Sequence, residues 1–235
     1  MNELIIRMNR ISRRPGRPAQ HQTDARPALL DAGLGCVLEH GASAMTVKQI
    51  AAAAGLTPAS LHYHFGDKPG LVKALIEERV LPALEGLRSA LGPGGTCPAA
   101  QIRAFVDGVF DMVEKHPWLP RLWLREVLSE GGALREVLLS RIAPVLPRLL
   151  AERFAAAQSA GMLNPNLNPQ LLVVSLIGLT LFPLAAEPIW GRVFAPAPPA
   201  REALRRHTLA LIEAAFAPDS GGDDVHAKAT RALSE

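Results

Sequence analysis

Apolar positions along this chain recur at helical rather than strand spacing. Leu30, Leu34, Val37 and Leu38 fall at i, i+4, i+7 and i+8, one face of a first helix. Thr23 or Asp24 is placed to cap its start, and His40-Gly41 to end it, since Gly41 tolerates the left-handed conformation. Thr46-Val47-Lys48-Gln49 has the capping-box pattern, in which hydroxyl and amide each satisfy an exposed backbone donor, so a second helix opens there. Val47, Ile50, Ala51 and Ala54 form its apolar face, and Gly55 ends it. Thr57 caps a third helix with Pro58 at the first position, where its missing donor costs nothing. That helix ends near Phe65-Gly66, and Asp67 caps a fourth beginning at Lys68-Pro69. Two short helices joined by a tight glycine turn, behind a longer one, predict a helix-turn-helix unit.

Beyond residue 67 the pattern stays helical, punctuated by proline and glycine. The fourth helix runs to about Leu91 with a bend at Pro82, and Gly92 to Pro98 reads as a loop. Ile102, Phe105, Val106, Val109, Phe110 and Val113 keep helical spacing until His116-Pro117. A helix bearing Trp118 and Trp123 follows, to Gly131-Gly132. Leu138, Ile142, Val145 and Leu149 mark a longer one, able to kink at Pro144 and Pro147 and ending at Gly161. Asn164 to Pro169 is a turn, 170–187 an apolar helix, and a Pro-rich loop leads to a last helix bearing Leu204, Thr208, Leu211, Ile212 and Ala215. The predicted fold is all-α. It comprises a basic flexible arm at 1–21, a three-helix helix-turn-helix unit at 22–68, a second helical domain at 69–217, and a disordered tail at 218–235.

Composition sharpens this. Of 235 residues, 49% are apolar and 20% charged, which fits a globular chain and excludes wholesale disorder or a collagen-like repeat. Cys36 and Cys97 are too few for a disulfide framework and read as reduced thiols. The longest apolar run, Leu171 to Ala186, is interrupted by Ser175, Gly178, Thr180 and Pro183 and falls short of the roughly twenty residues of a membrane span. Leu4-Ile5-Ile6 is too short for an export signal, so a cytoplasmic location is expected. The net charge of +3 is local: residues 1–66 hold seven Lys/Arg against four Asp/Glu, and the rest balance at eighteen each. Five of those arginines lie between residues 7 and 17, an electrostatic footprint for nucleic acid as well as the make-up of many solvated tails.

A recognition helix must seat in a major groove about 12 Å wide, so small residues at its start let it approach. Thr57, Pro58, Ala59 and Ser60 are small, and His62, Tyr63 and His64 follow as donors. The plainer alternative makes Leu61 and Phe65 core and the remainder ordinary surface. At these residues a resemblance becomes specific. Gly41, Thr46-Val47, Ile50-Ala51, Ala54-Gly55-Leu56-Thr57, Leu61-His62-Tyr63-His64-Phe65 and Lys68 resemble the DNA-binding domain of the TetR family of bacterial repressors, over residues 24–70. The resemblance implies that Thr46 and Lys48 open the helix abutting the DNA backbone. It implies that Thr57, Ala59 and Ser60 begin the recognition helix, and that Tyr63, His64 and Lys68 contact phosphates. His62 stands where the family often has tyrosine, and Pro69-Gly70 replaces a commoner acidic-alanine pair. Pro15-Gly16-Arg17-Pro18 resembles arms that enter the minor groove.

Other chemistry finds little footing. His62 and His64, two apart, point to different helix faces, and no phosphate loop, GxSxG elbow or HExxH occurs, so no metal, cofactor or catalytic residue is expected. The i,i+4 carboxylate pairs Asp107-Asp111 and Glu126-Glu130 read as solvated helix faces. In the second domain Phe105, Val109, Met112, Trp123 and Phe154 are candidates to line an apolar effector pocket, with Arg121 or Arg125 orienting a polar group; taken singly, each reads more readily as plain core or surface. The expectation is a homodimeric, ligand-responsive repressor of a palindromic DNA operator, released by a small effector. An activator or effector-independent regulator of the same fold, or a small helical enzyme or carrier, remains the alternative. Dimerisation is expected through helix 170–187 and the last helix.

Overall fold

The computed structural model describes residues 25–90, 97–142 and 146–216. The basic arm, the caps at Thr23 or Asp24, the loop at 92–96, the kink at Pro144 and the tail at 218–235 lie outside them. Every element among the described residues is helical. The first three are α1 (Ala25–His40), α2 (Val47–Ala53) and α3 (Pro58–Phe65). A continuous α4 follows, made of Lys68–Leu75, a π-helical turn Ile76–Val80, and Leu81–Ala90.

These elements form where local chemistry starts and stops them. The Thr46–Gln49 capping box is formed, Thr57 accepts from the Ser60 N–H, and Asp67 accepts from the Gly70 N–H. Gly41 leaves α1 at φ 86°, a region costly for any side chain. The buried stripe of α1 is rotated from the expected one. Leu29, Leu30, Gly33, Cys36 and Val37 face the core, and Leu34 and Leu38 sit at its margin. Gly33 explains the shift: a Cβ there would meet Leu71 Cδ2 at 2.9 Å, so its absence lets α4 cross close to α1.

Pro82 cannot donate to the carbonyl one turn earlier, and α4 absorbs this in the preceding wide turn, where the Leu81 N–H reaches back to the Ile76 carbonyl. The head's core is then closed by the second half of the chain: Leu122, Val127 and Leu134 pack into the cluster of Leu29, Ile50, Leu61 and Leu71.

In that half, α5 (Pro98–Lys115) is central, buried along Ile102, Phe105, Val106, Val109 and Val113. Around it run α6 (Leu119–Trp123, continued by a π-helical turn Leu124–Leu128) and α7 (Arg135–Val137, continued as Leu138–Ile142). α8 (Leu146–Ser159), α9 (Pro169–Ala185), α10 (Glu187–Val193) and α11 (Arg201–Phe216) complete the domain. The long helix expected from about Leu138 to Gly161 is seen as α7 and α8 on either side of 143–145. Part of the expected Pro-rich loop is α10, set at 65° to α9. The Trp190 indole donates to the Pro183 carbonyl at 2.8 Å and pins that corner.

Candidate nucleic-acid interface and effector cavity

α3 presents its start and one flank outward. Thr57, Ala59, His62 and Tyr63 are exposed, Ser60 and His64 half-buried, and Leu61 is fully buried as the anchor that fixes the helix's rotation. Tyr63 is 77% exposed, although a phenol ring would ordinarily be drawn into the core, and it packs edge-on against His64 at 5.0 Å between centroids. Thr46 and Lys48 are also exposed, at the start of α2. The structure thus brings Thr46, Lys48, Thr57, Ala59, Tyr63 and neighbouring His62 and His64 onto the α2–α3 unit.

Two of the named residues carry internal work as well. His62 Nδ1 lies 2.6 Å from the Gly66 carbonyl; that oxygen can only accept, so Nδ1 is the donor. The Lys68 ammonium donates to the Ser43 carbonyl at 2.9 Å and the Met45 carbonyl at 3.2 Å, fastening the α1–α2 loop to the start of α4. Lys68 is therefore first a brace of the head, with one N–H left for a phosphate.

Arg26 ties three helices at one node. Its guanidinium lies 5.0 Å from the Phe65 ring centroid on α3 and donates to both oxygens of Glu78 in the wide turn of α4. The hydrogen bond from Arg26 holds the Glu78 carboxyl below its usual range, and the same bond raises Arg26. Arg79, next in that turn, donates to Asp31 of α1 at 3.0 Å. The reading head is thus gripped at the point where α4 leaves it.

The second site is a cavity of about 80 Å³ between α4, α5, α6, α7, α8 and α9. Phe105, Val109, Met112 and Trp123 line it, together with Leu138, Ile142, Leu150 and Ile177; no charged side chain does. Phe154 is fully buried in the same core but does not reach the cavity. Arg121 and Arg125 are exposed and away from it; Arg125 points at the α1–α2 loop, where a Cβ on Gly41 would meet its Nε at 3.2 Å. They lie on the outward side of α6 because the helix turns Leu122 and Trp123 inward. A larger space of about 840 Å³ between α8 and α9 is an open trough edged by Arg148, Glu152 and Gln170.

Of the carboxylates expected on solvated faces, Asp111 and Glu130 are exposed and Asp107 half-buried, whereas Glu126 is buried. Asp107 and Asp111 both receive hydrogen bonds from Arg205 of α11, at 2.7 and 3.0 Å. Glu126 is only 4% exposed: Oε1 accepts from the Ala42 N–H and Oε2 from the Ala133 N–H, each at 3.0 Å. A glutamate at i,i+4 from another reads as surface, and only the fold's approach of two backbone loops reveals otherwise.

With this geometry in view, comparisons are informative. Residues 29–75 match the family of bacterial regulatory proteins of the TetR type, and residues 98–214 match the tetracycline-repressor-like C-terminal domain. A transcriptional regulator BetI from Stenotrophomonas maltophilia is 33% identical over 99 residues, 42% of this chain and 50% of that protein; the match spans half the length of that relative. The ketosteroid transcriptional regulator KstR2 of Mycobacterium tuberculosis shares the fold with a TM-score of 0.65 at 19% identity, over 82% of this chain and 94% of that one. The regulator AibR, solved with isovaleryl coenzyme A and operator DNA, superposes with a TM-score of 0.63 at 20% identity, over 80% and 97%. Both halves of the chain meet the same family's pattern, and the helix-turn-helix and helical C-terminal domain are those it requires: the protein belongs to the TetR family of DNA-binding transcriptional regulators.

Proposed function

We propose that this protein is a homodimeric repressor that binds a palindromic operator through paired α3 helices and is released by a neutral, largely apolar effector. The observation that carries the reading is the cavity: lined by apolar side chains and walled by helices that also close the core of the reading head. A charge buried there would go unpaired at a cost of several kcal/mol, so effectors that stay neutral inside it are favoured (on the order of a thousandfold or more in affinity). At about 80 Å³ the space takes a small apolar group; a larger effector must move Trp123, Leu138 or Ile142 outward. That AibR, of the same fold, is solved with both isovaleryl coenzyme A and operator DNA supports a regulator that takes a small molecule as well as DNA.

The dimer reading rests on α9. Leu171, Val174, Ser175, Gly178, Leu179 and Phe182 make one exposed stripe at spacings of three and four, and Leu211 and Ala215 of α11 are exposed as well. A mostly apolar stripe of this length needs cover, and a two-fold partner supplies the same stripe. The twofold would set the recognition helices roughly 34–36 Å apart or a multiple of it. The division of labour is 22–68 for reading DNA and 69–217 for effector and partner, in the cytoplasm with the chromosome.

The reading is tested with an operator selected by the protein from a random DNA pool. Neutral apolar compounds that raise the melting temperature should weaken operator binding by the factor by which the operator weakens theirs, as linkage demands. A tight-binding compound that leaves operator affinity unchanged refutes the release mechanism.

A further inference from the structure

We infer that Glu126 is the positioning residue through which the cavity and the DNA-reading head sense one another. This rests on the effector reading above. Glu126 sits in the π-helical turn Leu124–Leu128, directly after the cavity residue Trp123. Its carboxylate is buried and shared between two backbone donors from different halves: Ala42 in the α1–α2 loop and Ala133 in the α6–α7 loop. Its own carbonyl accepts from the Leu134 N–H at 3.1 Å, so α7, which carries the cavity residues Leu138 and Ile142, hangs from the same residue. Both loops approach it through glycine. A Cβ on Gly132 would lie 2.3 Å from the Glu126 carbonyl oxygen, and one on Gly41 3.4 Å from Oε1.

The path onward is equally short. Ala42 precedes Ser43 and Met45, whose carbonyls Lys68 holds at the start of α4, and Thr46, which caps α2. A group that spreads Trp123 from Leu138 must therefore either break a carboxylate hydrogen bond or carry Ala42 along, and with it the starts of α2 and α4 that Thr46 and Lys68 tie to the same loop. Hydrogen bonds to a buried carboxylate are among the stronger ones, and an unpaired carboxylate oxygen or amide there is costly, so movement of the loop is the cheaper response. Among the described residues Glu126 is the one buried carboxylate.

The test is a double-mutant cycle on the full chain, with operator affinity as the readout and Val109→Phe filling the cavity in place of an effector. Val109→Phe should weaken operator binding several-fold or more, within the roughly 5- to 150-fold range of known couplings, but by less than about twofold when Glu126→Gln is also present. Gln keeps shape and one acceptor but sets an NH2 against the other backbone N–H. If Glu126→Gln does not fold, Glu126→Asp serves, and Ile142→Phe replaces Val109→Phe on the opposite wall if needed. An equal loss with and without the Glu126 change overturns the coupling alone, whatever it does to the melting temperature, and marks Glu126 as merely structural. No loss on filling the cavity overturns the effector reading and this inference together.

Discussion

The reading head and the effector half are both helical, yet they begin their helices by different means. In the head, α2, α3 and α4 each start on a side chain that binds its own first turn: Thr46, Thr57 and Asp67. In the effector half α5, α6, α7 and α10 begin without any such cap, at Cys97, Trp118, Leu134 and Ala186, whereas α9 has one from Asn168. Helices that carry their own caps keep their ends when neighbours move, whereas helices held by packing shift with what they pack on. A rigid reader joined to a responsive half is what a regulator of this kind requires.

Changes on the two faces of α9 test that contrast most severely. Leu176, inside the helix expected to form the dimer, is fully buried within its own subunit, so Leu176→Glu should abolish cooperative melting by burying an unpaired charge worth several kcal/mol. Phe182, 62% exposed on the outward stripe, is the site for separating subunits. Phe182→Glu should melt cooperatively, give a monomer by light scattering, and lose at least about a hundredfold in operator affinity as two heads no longer bind together. A stable dimer in that variant removes α9 from the interface.

Within the head, Tyr63→Ala should lower operator affinity by roughly tenfold, about 1.4 kcal/mol, measured by fluorescence anisotropy. Its melting temperature should hardly change, because the ring has little to lose from the core. Thr57→Ala removes a cap and should cost about 1 kcal/mol in denaturant titration, with the loss confined to the head. Two lysines divide in the same spirit. Lys48→Ala should reduce the salt slope of operator binding by about 0.9 per phosphate contact without changing stability. Lys68→Ala should in addition destabilise the head, since the Ser43 and Met45 carbonyls lose their donor.

The smallest effect is the pH dependence of the Arg26–Glu78 clamp. The folded-state pKa of Glu78 is depressed, so its contribution to stability is present above the unfolded value, about 4.3, and is lost as pH falls through the lower folded value. Arg26 stays charged throughout. Melting of wild type and Glu78→Gln should therefore converge in acid and differ slightly at neutral pH, because both partners are well exposed.

Much of the head was legible because its signals are local. A threonine with glutamine three residues on, a Thr-Pro, an Asp before Lys-Pro and a glycine at each stop act within one turn, and the observed starts at Val47, Pro58 and Lys68 follow from them. The apolar spacing of α5 likewise placed Phe105, Val109 and Met112 inward, and the cavity gathers them with Trp123. Distance-dependent features were not legible. Gly33 looks like a weak spot in α1 until Leu71 is seen beside it, and α10 is hidden among prolines until Trp190 meets the Pro183 carbonyl.

By itself the sequence determined the all-helical class, the capped helix-turn-helix and the apolar character of the second domain, because caps and periodicity are decided between residues a few positions apart. Only the tertiary structure decided which face of α9 is inside, that Arg125 lies outside the cavity, and that Glu126 is buried between two loops. Burial and pairing across the fold depend on how helices approach one another. No residue's identity fixes that until Ala42 and Ala133 have been brought to the same carboxylate from 84 and 7 positions away.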